Sequence, residues 1–213
     1  MRESGLCIAD EIVYADTVDY LSDTLCYATV GARTSDDPTH RFVASGLDIP
    51  VGIKNPVNGN PHELAGSLCA ATSPNCFVFR GEQVQTDGNP YAHAVFRGAV
   101  DKNGAHIPNY GRDDVLQFAD MCAERGVKGA VIDAGHSNSG KNAKRQMTAV
   151  EDVLNMAARC PEYNAFVKGI MLESYPGQYP GIVAIEVTNV GSPTDAEQYA
   201  ALVDQVFAAP DQA

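Results

Sequence analysis

The chain has 213 residues, which fits one large folded domain spanning residues 1–213 with its own apolar core. Its hydrophobic fraction of 45% and charged fraction of 20% are typical of globular proteins and exclude a disordered or fibrous chain. A formal net charge of −12 argues against a nucleic-acid partner, because binding to a phosphate backbone requires a basic surface. The sequence shows neither an apolar run of about 20 residues nor a signal-like start, so we expect a cytoplasmic protein without membrane contact.

Short apolar, β-branched runs alternate with segments of helical periodicity. The predicted strands are Ile8–Tyr14, Tyr27–Gly31, Pro50–Lys54, His93–Arg97, Gly129–Asp133, Gly169–Glu173 and Ile182–Val187. The predicted helices are Asp16–Leu25, a segment around His40, Pro61–Ala71, Arg112–Arg125, Ala143–Arg159 and Thr194–Ala208. Strands that alternate with helices predict an α/β fold with a parallel sheet, either doubly wound or closed into a barrel.

One segment interrupts this alternation. Residues 76–90 contain Arg80-Gly81 at their centre and Asp87-Gly88-Asn89 near their end, which are turn signals. We therefore expect a two-stranded hairpin inserted as a loop. The six cysteines form no Cys-x-x-Cys pair, so they predict reduced, mostly buried thiols rather than a zinc ribbon or a redox motif.

Basic residues follow three of the predicted strands. Arg33, Lys54 and Arg97 would all reach the carboxyl edge of a parallel sheet, where α/β folds place their binding sites. Three cations at one edge favour a small anionic ligand, such as a phosphorylated keto acid. Two other interpretations stay open: each cation pairs with a nearby acid, or the Gly, Pro and Asn residues that follow simply close loops.

A histidine and a carboxylate end two later strands. His136 and Glu173 could contribute to a mononuclear site for Mn²⁺, Fe²⁺, Co²⁺ or Zn²⁺, with further ligands from Glu186, Asn189, Asp133, a cysteine or water. The alternative is a strand-end histidine that is hydrogen-bonded to a carboxylate without any metal.

Four stretches of the sequence resemble the type I 3-deoxy-D-arabino-heptulosonate 7-phosphate (DAHP) synthases. They are GARTSDDPTHRFVASGLDIPVGIKNPVNGN, HAVFRGA followed by PNYGRDDV, VIDAGHSNSGKNAKRQ and GIMLESY. The resemblance implies a fold derived from the TIM barrel and an enzyme of the shikimate pathway for aromatic amino acids. Such enzymes condense phosphoenolpyruvate with erythrose 4-phosphate and release phosphate, with a divalent metal orienting the aldehyde.

The resemblance also implies roles for individual residues. The residues implied to bind phosphoenolpyruvate are Ala32, through its backbone N–H, Arg33, Lys54 and Arg97. His136 and Glu173 match metal ligands of the family, and Lys54 and His136 are the expected catalytic residues.

The sequence also departs from the family pattern. It aligns from the third strand of the family's barrel onward, so we expect an N-terminally truncated barrel of about six βα units. The family's GPCS and KPRT segments have no counterpart, and the family's last metal-binding aspartate falls nearest to Val187, with Glu186 and Asn189 as possible substitutes. An open sheet leaves bare edges, so a homo-oligomer or a companion chain is expected to cover them, unless the strands rearrange into a smaller sheet.

Two other functions stay open beside catalysis. One is a catalytically impaired homologue that binds a phosphorylated metabolite or regulates a full-length synthase. The other is an aldolase or hydrolase of new specificity that uses the same pocket.

Overall fold

The computed structural model describes residues 8–21 and 23–173. Its strands are β1 (Ile8–Ile12), β2 (Leu25–Val30), β3 (Val51–Lys54), β4 (Asn75–Phe79), β5 (Glu82–Thr86), β6 (His93–Phe96), β7 (Ala99–Val100), β8 (His106–Ile107), β9 (Ala130–Asp133) and β10 (Val167–Met171). Its α-helices are α1 (Pro38–Ser45), α2 (Pro61–Thr72), α3 (Arg112–Cys122), α4 (Arg145–Arg159) and α5 (Pro161–Phe166), and two 3-10 helices cover Ala15–Tyr20 and Ala123–Arg125.

Six strands form one sheet in the order β1-β2-β3-β6-β9-β10. The pairs β1–β2, β2–β3, β3–β6 and β9–β10 are parallel. Every residue of β3 and β9 is buried, which explains why residues 51–53 and 130–132 are continuous apolar runs rather than alternating patterns. The predicted α/β class with about six βα units is confirmed, and the seventh predicted strand, Ile182–Val187, lies outside the described residues.

The predicted inserted hairpin is also confirmed. β4 and β5 are antiparallel, with Asn75 opposite Thr86 and Phe79 opposite Glu82. Arg80 and Gly81 form the two-residue turn and have φ angles of 52° and 83°. Two positive φ angles are what a two-residue hairpin loop of type I′ requires.

The helix beginnings follow from local chemistry. The Asp37 carboxylate accepts hydrogen bonds from the backbone N–H groups of Thr39 and His40 at the start of α1, and Asn60 caps α2 in the same way. A proline at the first position of each helix adds a fixed φ. The predicted helix Asp16–Leu25 is wrong in type and length, because Leu25 already belongs to β2 and only the 3-10 helix Ala15–Tyr20 fits before it.

The residues group into two compact units. The first unit comprises Met1–Val95 and Gln117–Gly129, and the second comprises Phe96–Leu116 and Ala130–Ala213. The described residues of each unit have their own buried apolar side chains. In the first these include Val30, Ile53, Leu64, Leu68 and Phe118, and in the second Val115, Ile132, Val153, Tyr163 and Ile170.

Five cysteines lie in the described part of the chain, and none is in a disulfide. Cys122 and Cys160 are buried, but Cys26, Cys69 and Cys76 are exposed. The expectation of mostly buried thiols is therefore wrong for these five, because the three exposed residues lie on the outward faces of their elements. No described helix has the length and apolar character needed to cross a membrane.

Candidate active site

In the first unit, Lys54 is a buried cation at the end of β3. Its side chain is 6% exposed, and its Nζ donates a hydrogen bond of 2.9 Å to Oε2 of Glu11 on β1. Burial of a charge is unfavourable without a partner, so this ion pair is what allows a lysine to occupy the position. Glu11 is more open, with 38% of its side chain exposed.

The loop after β2 carries Ala32 and Arg33. Thr34 N–H donates to the Gly31 carbonyl at 3.1 Å, which closes a turn and leaves the Arg33 side chain exposed. A Cβ on Gly31 would lie 2.6 Å from Oε1 of Glu11, so a side chain there would displace the carboxylate that binds Lys54. The first unit therefore brings Glu11 and Lys54 together beside the start of the loop that holds Ala32 and Arg33.

In the second unit, Arg97 follows β6 directly and is only 6% exposed. Its carbonyl accepts a 3.1 Å hydrogen bond from the Ser137 N–H. The next residue, Gly98, has a φ of 77°, and its N–H donates to Oδ1 of Asn109 at 2.7 Å. The backbone of Arg97 is thus fixed on both sides before any ligand binds.

The second unit also contains a cluster of Asp133, His136 and Glu173, whose possible ligand atoms all lie within 4.8 Å of one another. Nδ1 of His136 lies 2.9 Å from Oδ2 of Asp133 and 3.4 Å from Oε1 of Glu173. Asp133 is fully buried, and its other oxygen accepts a 2.9 Å hydrogen bond from the Gly135 N–H. His136 has a φ of 46°, which turns its side chain back toward the end of its own strand.

This donor set fits a divalent transition metal. One imidazole and two carboxylates provide the mixed nitrogen and oxygen ligation that Mn²⁺, Fe²⁺, Co²⁺ and Zn²⁺ accept. Asp133 can act as a ligand, or it can hold the His136 ring through Nδ1 so that Nε2 binds the ion. The possible further ligands Glu186 and Asn189 lie outside the described residues.

The turn that carries His136 is held by buried amides. The Asn138 side chain is 5% exposed and donates to the carbonyls of Phe96 and Asp133 at 2.9 and 2.8 Å. Its Oδ1 accepts a 2.9 Å hydrogen bond from the Asn109 N–H. Neither Asn138 nor Asn109 was predicted as a site residue, and the Asn-rich context HSNSGKN is the signal that marks Asn138.

A second histidine supports the same turn. Nδ1 of His106 lies 2.9 Å from Oγ of Ser137, which is 1% exposed. His106 is delivered by the short antiparallel ribbon of β7 and β8.

Comparison with known proteins identifies relatives across most of the chain. The model of the DAHP synthetase I family matches residues 1–205. The Tyr-sensitive phospho-2-dehydro-3-deoxyheptonate aldolase of Salmonella typhimurium is 34% identical over 176 residues, which are 80% of this chain and 47% of that protein. The Phe-sensitive protein of Escherichia coli is 33% identical over 181 residues, which are 82% of this chain and 49% of that protein. The chain thus spans about half the length of these two relatives.

A Tyr-sensitive relative from Enterobacter agglomerans is 36% identical over 162 residues, covering 73% of this chain and 72% of that protein. The solved structure of the aldolase from Francisella tularensis aligns with a TM-score of 0.69 and 21% identity, covering 95% of this chain and 62% of that one. That alignment supports the fold. From the family match and the sequence identity together, we conclude that the chain belongs to the DAHP synthetase I family.

Proposed function

We propose that this chain carries a DAHP synthase active site, which condenses phosphoenolpyruvate with erythrose 4-phosphate and releases phosphate in the shikimate pathway. The observation that supports this function best is the cluster of Asp133, His136 and Glu173 after β9 and β10, in a member of this family. The Salmonella, Escherichia and Enterobacter relatives are named phospho-2-dehydro-3-deoxyheptonate aldolases, and these names support the same reaction.

In this proposal four residues bind phosphoenolpyruvate: Ala32, Arg33, Lys54 and Arg97. An arginine presents a planar pair of donors to a phosphate or carboxylate group, and a lysine presents a compact charge. Lys54 and Arg97 are buried, so their attraction to an anion is less screened by solvent than that of a surface cation. Arg33 is exposed, so an anionic substrate could reach its guanidinium group from solvent.

His136 and Glu173 would hold the divalent metal, with Asp133 either as a third ligand or as the group that orients the imidazole. When bound, such an ion polarises the aldehyde oxygen of the second substrate. The protein's own contribution is to fix these donors beforehand, because Asp133 is buried and hydrogen-bonded to both Gly135 and His136. Glu186 or Asn189 is the proposed source of a further ligand.

In this proposal, full turnover also needs the part of the family fold that these residues do not cover, because the chain matches about half the length of its Salmonella and Escherichia relatives. A second copy or a companion chain is the proposed source of that part. The second candidate function is that the chain binds a phosphorylated metabolite or a full-length synthase without catalysing the reaction.

Binding and turnover assays separate these functions. We expect Lys54→Ala and Arg33→Ala to abolish phosphoenolpyruvate binding, while Lys128→Ala, which removes an exposed cation, leaves it unchanged. Loss of phosphoenolpyruvate and formation of the sugar acid with Mn²⁺ would support catalysis, whereas binding without turnover would support the regulatory function. Unchanged affinity in both Lys54→Ala and Arg33→Ala would contradict the assignment of the anion-binding residues.

The first unit also contains a cavity of the size of a small-molecule site. It has a volume of about 420 Å³, within the range of roughly 300–1,000 Å³ typical of small-molecule sites. Aromatic side chains of α1 and of the β4–β5 hairpin line it together with three acidic residues: Phe42, Phe77, Phe79, Asp19, Asp48 and Asp87. Because relatives are named Tyr-sensitive and Phe-sensitive, we propose that this cavity binds an aromatic amino acid.

Two variants of the hairpin test the effector site. Val84 lines the cavity, and a Val84→Trp substitution should fill it and abolish binding of phenylalanine or tyrosine. Val78 lies on the same hairpin but is 74% exposed, so Val78→Trp is the matched control and should bind normally. Equal affinity of both variants for the amino acids would rule out this cavity as the effector site.

A further inference from the structure

Gln146 makes two hydrogen bonds to the backbone of a single residue. It lies in the first turn of α4 and is 4% exposed. Its Nε2 donates to the Glu173 carbonyl at 2.8 Å, and its Oε1 accepts from the Glu173 N–H at 2.9 Å. Both ends of this buried amide are therefore committed to the same residue.

These bonds fix Glu173 where the sheet no longer does. β10 ends at Met171, whose carbonyl still accepts a 2.8 Å hydrogen bond from the Ala134 N–H. Glu173 lies two residues beyond that point, and the Gln146 amide supplies the donor and acceptor that a neighbouring strand would otherwise provide. The Glu173 side chain then reaches the cluster, with Oε1 3.4 Å from Nδ1 of His136.

We infer that Gln146 is a positioning residue for the metal site: it holds the Glu173 backbone so that the carboxylate meets His136 and Asp133. This inference rests on the proposed metal-binding role of that cluster. A glutamine suits this task because one side chain offers an acceptor and a donor spaced to match a peptide N–H and C=O. Removing such an outer contact of a metal ligand typically weakens metal binding about 10- to 100-fold.

The test uses the full-length chain and Mn²⁺ alone. Gln146→Met keeps the length of the side chain but removes both hydrogen bonds. We expect its affinity for Mn²⁺, measured by titration calorimetry, to fall about 10- to 100-fold. The electron paramagnetic resonance spectrum of the bound Mn²⁺ should also change, because one ligand is no longer held in place.

A matched variant controls for general loss of stability. Asn89 is 1% exposed, donates to the carbonyls of Ala44 and Ile49, and accepts from the Tyr91 N–H, all within the first unit. Asn89→Leu removes a comparable buried amide and should lower the urea midpoint while leaving Mn²⁺ affinity and spectrum unchanged. If Gln146→Met and Asn89→Leu behave alike toward Mn²⁺, the positioning role is wrong.

A measurement on the unmodified protein covers the case in which Gln146→Met does not fold. The Glu173 amide should exchange with solvent slowly, because its N–H donates to the side chain of Gln146, which is 4% exposed, and fast exchange would overturn the inference. Wild-type protein that binds no Mn²⁺, or binds it equally after His136→Ala, would refute the proposed metal site and this inference with it. Tight binding by wild type and by Gln146→Met alike would refute the inference alone.

Discussion

Gly98 offers a direct test of how the turn at His136 is held. A Cβ at Gly98 would lie 2.7 Å from the Asn138 nitrogen and 2.7 Å from both the carbonyl carbon and the Cβ of Ser137. Its φ of 77° also falls in the left-handed region, which residues with a side chain rarely adopt. Gly98→Ala therefore introduces backbone strain and a steric clash against the residues that follow His136.

The two costs can be separated by a control. An alanine in the left-handed region costs about 1–2 kcal/mol, and crowding a packed site adds about 1–3 kcal/mol. Gly98→Ala should thus lower the free energy of unfolding by about 2–5 kcal/mol, a large part of the roughly 5–15 kcal/mol of a whole domain. Gly104 has a φ of 82° and nothing within 4 Å of its Cβ position, so Gly104→Ala should cost only about 1–2 kcal/mol.

Urea unfolding of both variants, followed by circular dichroism, measures this difference. Mn²⁺ titration should show weaker binding for Gly98→Ala only, because Ser137 cannot move without shifting His136. The reasoning would be refuted if the two alanine variants were equally stable and bound Mn²⁺ equally well.

Further predictions concern the first unit. Gly52→Ala would place a Cβ 2.2 Å from the Tyr27 hydroxyl and disturb its 2.9 Å hydrogen bond with Nε2 of His93. Urea unfolding should show a free energy of unfolding lower by about 1–3 kcal/mol, and an unchanged value would contradict this contact. Burial lowers the pKa of His93, so the unfolded state takes up its proton first as pH falls. The stability that neutral His93 confers should therefore be complete above pH about 6.5 and should decline as the pH falls from there toward the lowered pKa. A series of urea midpoints at different pH values would detect this dependence, and His93→Gln should reduce it. Nη1 of Arg80 lies 2.7 Å from Oδ2 of Asp19 on an exposed surface, so Arg80→Gln should lower the free energy of unfolding by no more than about 1 kcal/mol. A decrease above about 2 kcal/mol would show that this pair stabilises the fold more than a surface ion pair does.

The sheet could be predicted from internal strands such as β3 and β9, which are buried on both faces. Residues 51–53 and 130–132 therefore appear as continuous apolar runs, and Arg80-Gly81 marks the hairpin. The ribbon of β7 and β8 was not predicted, because two-residue strands have no measurable periodicity. Its turn does contain Asn103-Gly104, a pair of residues that is typical of hairpin turns.

The candidate metal site was only partly predictable. His136 and Glu173 follow strands that pair with each other, so their proximity follows from sheet topology. Asp133 was only one of several possible further ligands. His136 has a positive φ, and its side chain contacts that of Asp133. The contact of Gln146 with Glu173 joins residues 27 positions apart through a helix, and no periodic pattern encodes it.

The ion pair between Lys54 and Glu11 changes the electrostatics that a count of cations suggests. Three basic residues at strand ends favour an anion, yet the charge on Lys54 is already compensated at 2.9 Å. For Lys54, the structure therefore shows the alternative interpretation, in which the cation pairs with a nearby acid, Glu11. Under the proposed function the two interpretations are compatible, because Glu11 holds the ammonium group in one position. A bound phosphate would then meet an oriented cation, with little loss of side-chain entropy.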